Sequence, residues 1–281
     1  MHGIHTALVT PFRDGAVDLD TFAALCERQI EHGMGLVACG TTGETPTLTA
    51  EEWQQVVSTA VTTSAGRVPV TAGVGTNSTA STVANIEAVS ALGADAGLLV
   101  FPYYNKPNPA GHRAHVRAAA AVGLPLVLYH VPGRTGQRLP ATLVAELANM
   151  DGVIGVKEAT GDLHYGAEVI RGTQTPILSG DDFTFLPLMS LGGTGCISVV
   201  SNVAPAETQA VYTLFQAGQT AAAAAAMHRL WPLVDYLFAD TNPVPCKAAL
   251  AHLGLCSPDV RLPLMPAPAQ GAADILAQVM E

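Results

Sequence analysis

Val153-Ile154-Gly155-Val156-Lys157, running on into Glu158-Ala159-Thr160-Gly161-Asp162, is the stretch on which the reading of this chain turns. A β-branched apolar run of strand length ends on a lysine and passes at once into a Thr/Gly/Asp turn, the pattern of a buried strand entering a loop. Only three lysines occur in 281 residues, so one placed here needs a cause. Stripping water from an ammonium costs more than packing returns unless the group is paired or deprotonated. Burial also has a chemical use, because desolvation favours the neutral amine, which can attack a carbonyl to form a Schiff base. A lysine at a strand end can equally snorkel to water, and the stretch by itself leaves both readings open.

The same pattern recurs along the chain. Short β-branched or Leu-rich runs fall at Ile4 to Val9, Gly35 to Cys39, Val68 to Ala72, Ala96 to Val100, Pro125 to His130, Val153 to Lys157, Pro176 to Ser179 and Gly195 to Val199. Helical stretches with 3.6-residue periodicity separate them. Thr49 to Ser64 is one, opening with Thr49-x-x-Glu52 as a capping box. Eight strands, each followed by a helix, predict an α/β fold, a (β/α)8 TIM barrel. The eighth unit ends near Gly218, and the remaining residues read as helices over Thr220 to Phe238, Pro243 to Leu253 and Ala272 to Met280. The expected organisation is a catalytic barrel over residues 1–218 with a C-terminal helical region over 219–281 packed on it.

Composition narrows the function classes. Hydrophobic residues make up 49% of the chain, yet Gly and Pro interrupt every apolar run short of the ~18 residues of a membrane span. The amino-terminal residues show no signal-peptide pattern. Five cysteines without a Cys-x-x-Cys pair form neither a disulfide framework nor a zinc cage, and a cytoplasmic setting is expected. A net charge of −10 argues against nucleic acid and anionic membranes as partners. An anionic substrate must therefore find local cations, and on strand-end loops these are Lys106, Arg134, Arg138 and Lys157. The apolar, weakly charged composition also suggests surface covered by another subunit.

In such barrels the active site is built from the loops at the carboxyl ends of the strands. After strand two comes Gly40-Thr41-Thr42-Gly43-Glu44, a hydroxyl-bearing turn whose N–H groups could cradle a carboxylate or simply form an ordinary turn. After strand four comes Pro102-Tyr103-Tyr104-Asn105-Lys106-Pro107. Strand five ends in Tyr129-His130 and enters Val131-Pro132-Gly133-Arg134-Thr135-Gly136. An amine, phenols, a threonine hydroxyl and a guanidinium suit imine chemistry on an oxoacid. Carbinolamine formation and dehydration both move protons, which a tyrosine can relay, and arginine grips a carboxylate bidentately.

These loops, together with Val9-Thr10-Pro11-Phe12, Ser179-Gly180-Asp181-Asp182, Gly195-Cys196-Ile197-Ser198, Pro243-x-Pro245-x-Lys247 and Arg261-Leu262-Pro263, resemble the dihydrodipicolinate synthase family of pyruvate-dependent Schiff-base aldolases over nearly the whole chain. The resemblance implies condensation of pyruvate with L-aspartate-4-semialdehyde, without cofactor or metal, in lysine and diaminopimelate synthesis. Lys157 would form the Schiff base and Tyr129 would transfer protons, with Thr41 and Tyr104 completing the relay. Thr42 with Thr41 would receive the pyruvate carboxylate, Arg134 would position the aldehyde substrate, and Gly180 and Ile197 would line the pocket. Tyr103 would lie at a tight dimer interface across which Tyr104 serves the neighbouring site, in a homotetramer built from such dimers. A keto-deoxy sugar acid aldolase or dehydratase is the alternative within the same chemistry.

Three positions depart from the family pattern. His130 replaces an asparagine but should point away from the Tyr129 side by strand alternation. Phe101 replaces a threonine before the Tyr103-Tyr104 loop. Ser81 replaces an acidic residue that in lysine-regulated relatives pairs with the effector's ammonium, and Ala50 and Trp53 stand where histidines occur, so weak or absent lysine inhibition is expected. His112 and His115 lack a third ligand and read as packed or solvated histidines. Gly73-Val74-Gly75-Thr76-Asn77-Ser78 lacks the third glycine of a dinucleotide fingerprint.

Overall fold

The computed structural model describes residues 1–267 and 270–279. Eight parallel strands form a closed barrel, in the order β1-β10-β9-β8-β7-β6-β5-β4. Its strands are β1 (Gly3–Ala7), β4 (Gly35–Ala38), β5 (Val70–Gly73), β6 (Ala96–Val100), β7 (Leu126–His130), β8 (Val153–Glu158), β9 (Ile177–Ser179) and β10 (Gly195–Ser198), with β2 (Phe12–Arg13) and β3 (Ala16–Val17) forming a separate ribbon. The helices are α1 (Leu19–Glu31), α2 (Ala50–Ser64), α3 (Thr79–Ala91), α4 (Pro109–Ala120), α5 (Pro132–Thr135), α6 (Ala141–Ala148), α7 (Leu163–Gly172), α8 (Phe185–Ser190), α9 (Pro205–Gln216), α10 (Thr220–Phe238), α11 (Val244–His252) and α12 (Gln270–Val279). The eight predicted runs are thus the eight barrel strands, each within two residues at either end. The last predicted helix begins two residues earlier than expected, and Met280 lies outside the described residues. Among the described residues no helix is long and apolar enough to cross a membrane.

By contact density the chain divides into two compact units. The first comprises Met1–Gly3 and Thr71–Ile197. Its strands are buried almost throughout, as parallel strands covered on both faces must be. The decisive feature is the β7/β8 register. Leu126 pairs with Val153 but Val127 pairs with Gly155, so Ile154 is one extra residue and the pairing advances to Tyr129↔Lys157 and His130↔Glu158. Ile154 itself is exposed. On the opposite side of β7 from Tyr129, the fully buried His130 ring packs against Tyr165 of α7 at 5.5 Å and Phe101 at 5.6 Å. Phe101 also meets the His112 ring of α4 edge-on at 5.4 Å. His112 bonds Gln137 at 3.1 Å and His115 bonds Thr79 at 2.9 Å, so both are packed residues, as the sequence suggests. Gly75 lies so close to the Val100 backbone that a Cβ there would sit 2.4 Å from the Val100 nitrogen, which gives that glycine a packing role.

The second unit comprises Ile4–Val70 and Ser198–Glu281. Helix α2 opens with the capping box expected at Thr49 and Glu52, both reciprocal bonds being present. The β2/β3 ribbon was not anticipated. Its turn is Asp14-Gly15 with φ of 53° and 83°, the two left-handed residues that a tight hairpin requires. Arg261 reaches this turn, donating from Nη2 to the Gly15 carbonyl at 2.8 Å, and holds Glu52 bidentately at 2.5 and 2.7 Å.

Burial without a hydrogen-bond partner lowers the His130 pKa to about 4, with the positive charges of Arg138 and His112 adding to the shift. The folded state therefore keeps His130 neutral, while an unfolded chain protonates it near 6.5. Its contribution is fully present above about 6.5 and is lost as pH falls toward about 4, by roughly 3 kcal/mol in all. Urea unfolding of the protein and of His130→Asn at neutral and mildly acidic pH should show a smaller acid loss in the variant; equal losses would show that His130 is not a determinant.

Candidate active site

Lys157 and Tyr129 are register partners on adjacent parallel strands, so their side chains leave the sheet on the same face. Both are buried, with 5% and 6% of their surface exposed, and the Lys157 Nζ lies 4.4 Å from the centre of the Tyr129 ring. Lys157 makes no hydrogen bond or ion pair among the described residues, and its amino group instead faces the electron-rich ring. On its other flank Lys157 pairs with Leu178 of β9. The next strand end brings Gly180, whose N–H donates to the Glu158 carbonyl at 2.6 Å. A Cβ at Gly180 would fall 2.9 Å from Lys157 Cε and 2.6 Å from the Ala159 Cβ, so the missing side chain is the space through which the lysine stem passes. Ile197 is fully buried and stands one residue beyond Cys196, the register partner of Ser179, just as Gly180 stands one beyond Ser179.

Asp181 is the residue of this site that sequence reasoning passed over. Burial pushes its carboxyl up to about 6, opposed by the Lys157 charge, assisted by Asp182 and opposed again by Arg134. Its signal in the sequence was its position beside Gly180 in the Ser-Gly-Asp-Asp turn. Arg134 sits exposed on the short helix α5. Arg138, also among the candidate cations, is already engaged: its guanidinium bonds Asp162 at 2.6 Å and lies over the Tyr165 ring at 4.9 Å. Tyr103 is 38% and Tyr104 88% exposed, and Tyr104 adopts φ of 69°, a conformation unusual for a bulky side chain. Among the described residues neither phenol bonds to Lys157 or Tyr129.

Thr41 and Thr42 belong to the other unit, in the turn after β4. Cys39 and Glu44, with φ of 54° and 52°, bracket this turn with two left-handed residues that are not glycine. It is pinned at several points. Thr10 Oγ1 donates to the Gly43 carbonyl at 2.8 Å, the Glu44 N–H donates to the Thr41 carbonyl at 3.1 Å, and Asn242 Nδ2 donates to Thr42 Oγ1 at 2.6 Å. The Glu44 carboxylate is buried. It accepts from Lys247 Nζ at 2.5 Å and from the Arg261 backbone N–H at 2.9 Å, and Lys247 also donates to the Asp259 carbonyl at 2.7 Å. The Phe12 ring carries both cations, Lys247 at 4.0 Å and Arg261 at 4.4 Å. Lys247, fully buried, is therefore ion-paired, where Lys157 is not.

The chain matches the family described as the Dihydrodipicolinate synthetase family over residues 1–280. It is 46% identical to the 4-hydroxy-tetrahydrodipicolinate synthase of Phenylobacterium zucineum (strain HLK1), across 99% of this chain and 96% of that one. Among solved structures it resembles dihydrodipicolinate synthase from Thermotoga maritima, with a TM-score of 0.97 at 36% identity over 100% of this chain and 99% of that one. It also resembles the chloride-inhibited dihydrodipicolinate synthase from Acinetobacter baumannii complexed with pyruvate, with a TM-score of 0.95 at 40% identity over 99% and 98% of the two chains.

Gly180→Ala should act on Lys157 directly. The added methyl displaces the lysine stem or the Ala159 methyl, and since a misplacement near 1 Å can cost about 10²-fold in rate, kcat/KM should fall by that order. Steady-state kinetics beside a thermal melt would check this, and turnover equal to that of the unmodified protein would show that the lysine stem has room to spare.

Proposed function

The chain belongs to the dihydrodipicolinate synthetase family, and from that premise we propose that Lys157 is the Schiff-base residue with which it condenses pyruvate and L-aspartate-4-semialdehyde to 4-hydroxy-tetrahydrodipicolinate. The observation that carries the assignment is the buried Lys157 amine, unpaired among the described residues and 4.4 Å from the Tyr129 ring. Lys247, by contrast, is committed to the Glu44 carboxylate and the Asp259 carbonyl.

In the proposed sequence the Lys157 amine adds to the pyruvate ketone, and the carbinolamine loses water as the Tyr129 hydroxyl supplies a proton to the departing oxygen. Loss of a methyl proton from the iminium gives an enamine, whose carbon attacks the aldehyde of the second substrate. That substrate's amine then displaces Lys157 as the ring closes. Thr41 and Tyr104 are the proposed proton relay, Thr42 with Thr41 the seat of the pyruvate carboxylate, and Gly180 and Ile197 the pocket lining. Arg134, exposed on α5, is proposed to grip the carboxylate of the aldehyde substrate. The assembly is proposed as a cytoplasmic homotetramer of tight dimers. The exposure of Tyr103 and Tyr104 supports it, since such a loop is buried when a second copy covers it.

Borohydride added with pyruvate should trap a covalent adduct that peptide mapping places on Lys157; an adduct on Lys106 or Lys247 would overturn the assignment. Tyr129→Phe should slow both turnover and trapping by about 10²- to 10⁴-fold with little change in pyruvate binding. Arg134→Ala should raise KM mainly for the aldehyde, and an unchanged aldehyde KM would overturn that role.

Lysine is proposed to inhibit weakly or not at all. Ser81 is an exposed neutral residue and the Trp53 side chain is buried in place of a polar group. Titrating lysine into the condensation assay checks this, and inhibition below millimolar concentrations would count against it.

A further inference from the structure

We infer that Asn242 is a positioning residue that sets the hydrogen-bonding direction of Thr42, and that the buried Glu44–Lys247 pair holds the turn to which Asn242 bonds. This rests on the reading of the Thr41-Thr42 turn as the seat of the pyruvate carboxylate. A threonine hydroxyl has one proton and two lone pairs. Asn242 Nδ2 occupies a lone pair of Thr42 Oγ1 at 2.6 Å. The Thr42 proton is then left to donate, which is what an arriving carboxylate requires. Thr42 is buried, with 3% of its surface exposed, so the hydroxyl has little water with which to reorient. The Asn242 Oδ1 is buried without a partner, which leaves the bond to Thr42 as the hydrogen bond of this side-chain amide among the described residues.

The bond is useful only if turn and asparagine keep their spacing, and the ion pair supplies that. Lys247 lies five residues beyond Asn242, on α11, and its Nζ meets Glu44, two residues beyond Thr42, at 2.5 Å. The two contacts are parallel ties between the same two segments. The second tie is charged and fully buried, and Glu44 takes a further bond from the Arg261 N–H at 2.9 Å. Removing one partner of such a pair leaves an uncompensated buried charge, so the ties cannot slip independently.

The test is a double-mutant cycle on Thr42 and Asn242, read in pyruvate KM, kcat and melting temperature. Asn242→Ala should raise pyruvate KM by roughly fivefold, the worth of an ordinary hydrogen bond, while leaving the aldehyde KM unchanged. Thr42→Val should raise it at least as much, and Thr42→Val with Asn242→Ala should be no worse than Thr42→Val alone, because Asn242 acts through the hydroxyl that the first change removes. Asn242→Asp, which keeps size but loses the amide donor, should resemble Asn242→Ala and carries the same test if the alanine variant folds poorly. If Thr42→Val raises pyruvate KM but Asn242 variants do not, or if the two effects add, the positioning role is wrong while the carboxylate seat stands. If Thr42→Val leaves pyruvate KM unchanged, the seat itself is misplaced and the positioning role falls with it.

Discussion

The structure depends on one registration: β8 carries an extra residue at Ile154, and everything beyond it is shifted by one against β7. Without that shift Lys157 would lie opposite His130, on the face that packs against α7, and Tyr129 would lie opposite Val156. Strand side chains alternate with a period of two, so a one-residue offset exchanges the faces completely. The extra residue thus puts an amine and a phenol side by side on one face, and an imidazole and a carboxyl, His130 and Glu158, on the other. A bulge is a recurrent device for aiming a side chain, and here it decides which of two neighbouring titratable residues on each strand shares a face with which residue of the other.

Two buried lysines in this chain have opposite fates. Lys247 is matched with a carboxylate and a carbonyl and lies on the Phe12 ring, so that its charge is fully accommodated. Lys157 has no ion pair among the described residues and lies against the face of the Tyr129 ring. The contrast separates a fastened lysine from an unfastened one by surroundings and not by burial, which both share. The same holds for the two acidic residues that follow strand ends: Glu44 is consumed in fastening a turn, whereas burial raises the Asp181 carboxyl to about 6, within reach of the Lys157 and Arg134 fields.

The barrel was legible in the sequence because each parallel strand is an apolar run cut off by Gly, Pro or a polar turn. Thr49-x-x-Glu52 was legible for the same reason, being a local pattern with a local cause. Lys157 stood out by its setting, but its pairing with Tyr129 came from family resemblance, since nothing in either strand alone announces the extra residue at Ile154. The Asp14-Gly15 hairpin carried a readable signal and was overlooked because its strands are two residues long. The Glu44–Lys247 tie was unreadable from local pattern: its partners are 203 residues apart, and Lys247 resembled one more cation of a helical tail.

That separation bears on how the protein is made. Chains are synthesised at ~5–20 residues per second, so roughly 10–40 seconds pass between the appearance of Glu44 and that of Lys247 on a translating ribosome. Through that interval the Glu44 carboxylate lacks the Lys247 and Arg261 donors that hold it in the folded chain, and burying it without them would be costly. The nascent chain therefore carries the strands of Lys157 and Tyr129 well before it carries the segment that brings Asn242, Lys247 and Arg261 to the turn of Thr41 and Thr42. The fastening of that turn is in this sense a late event of biosynthesis, timed by the position of one residue along the message.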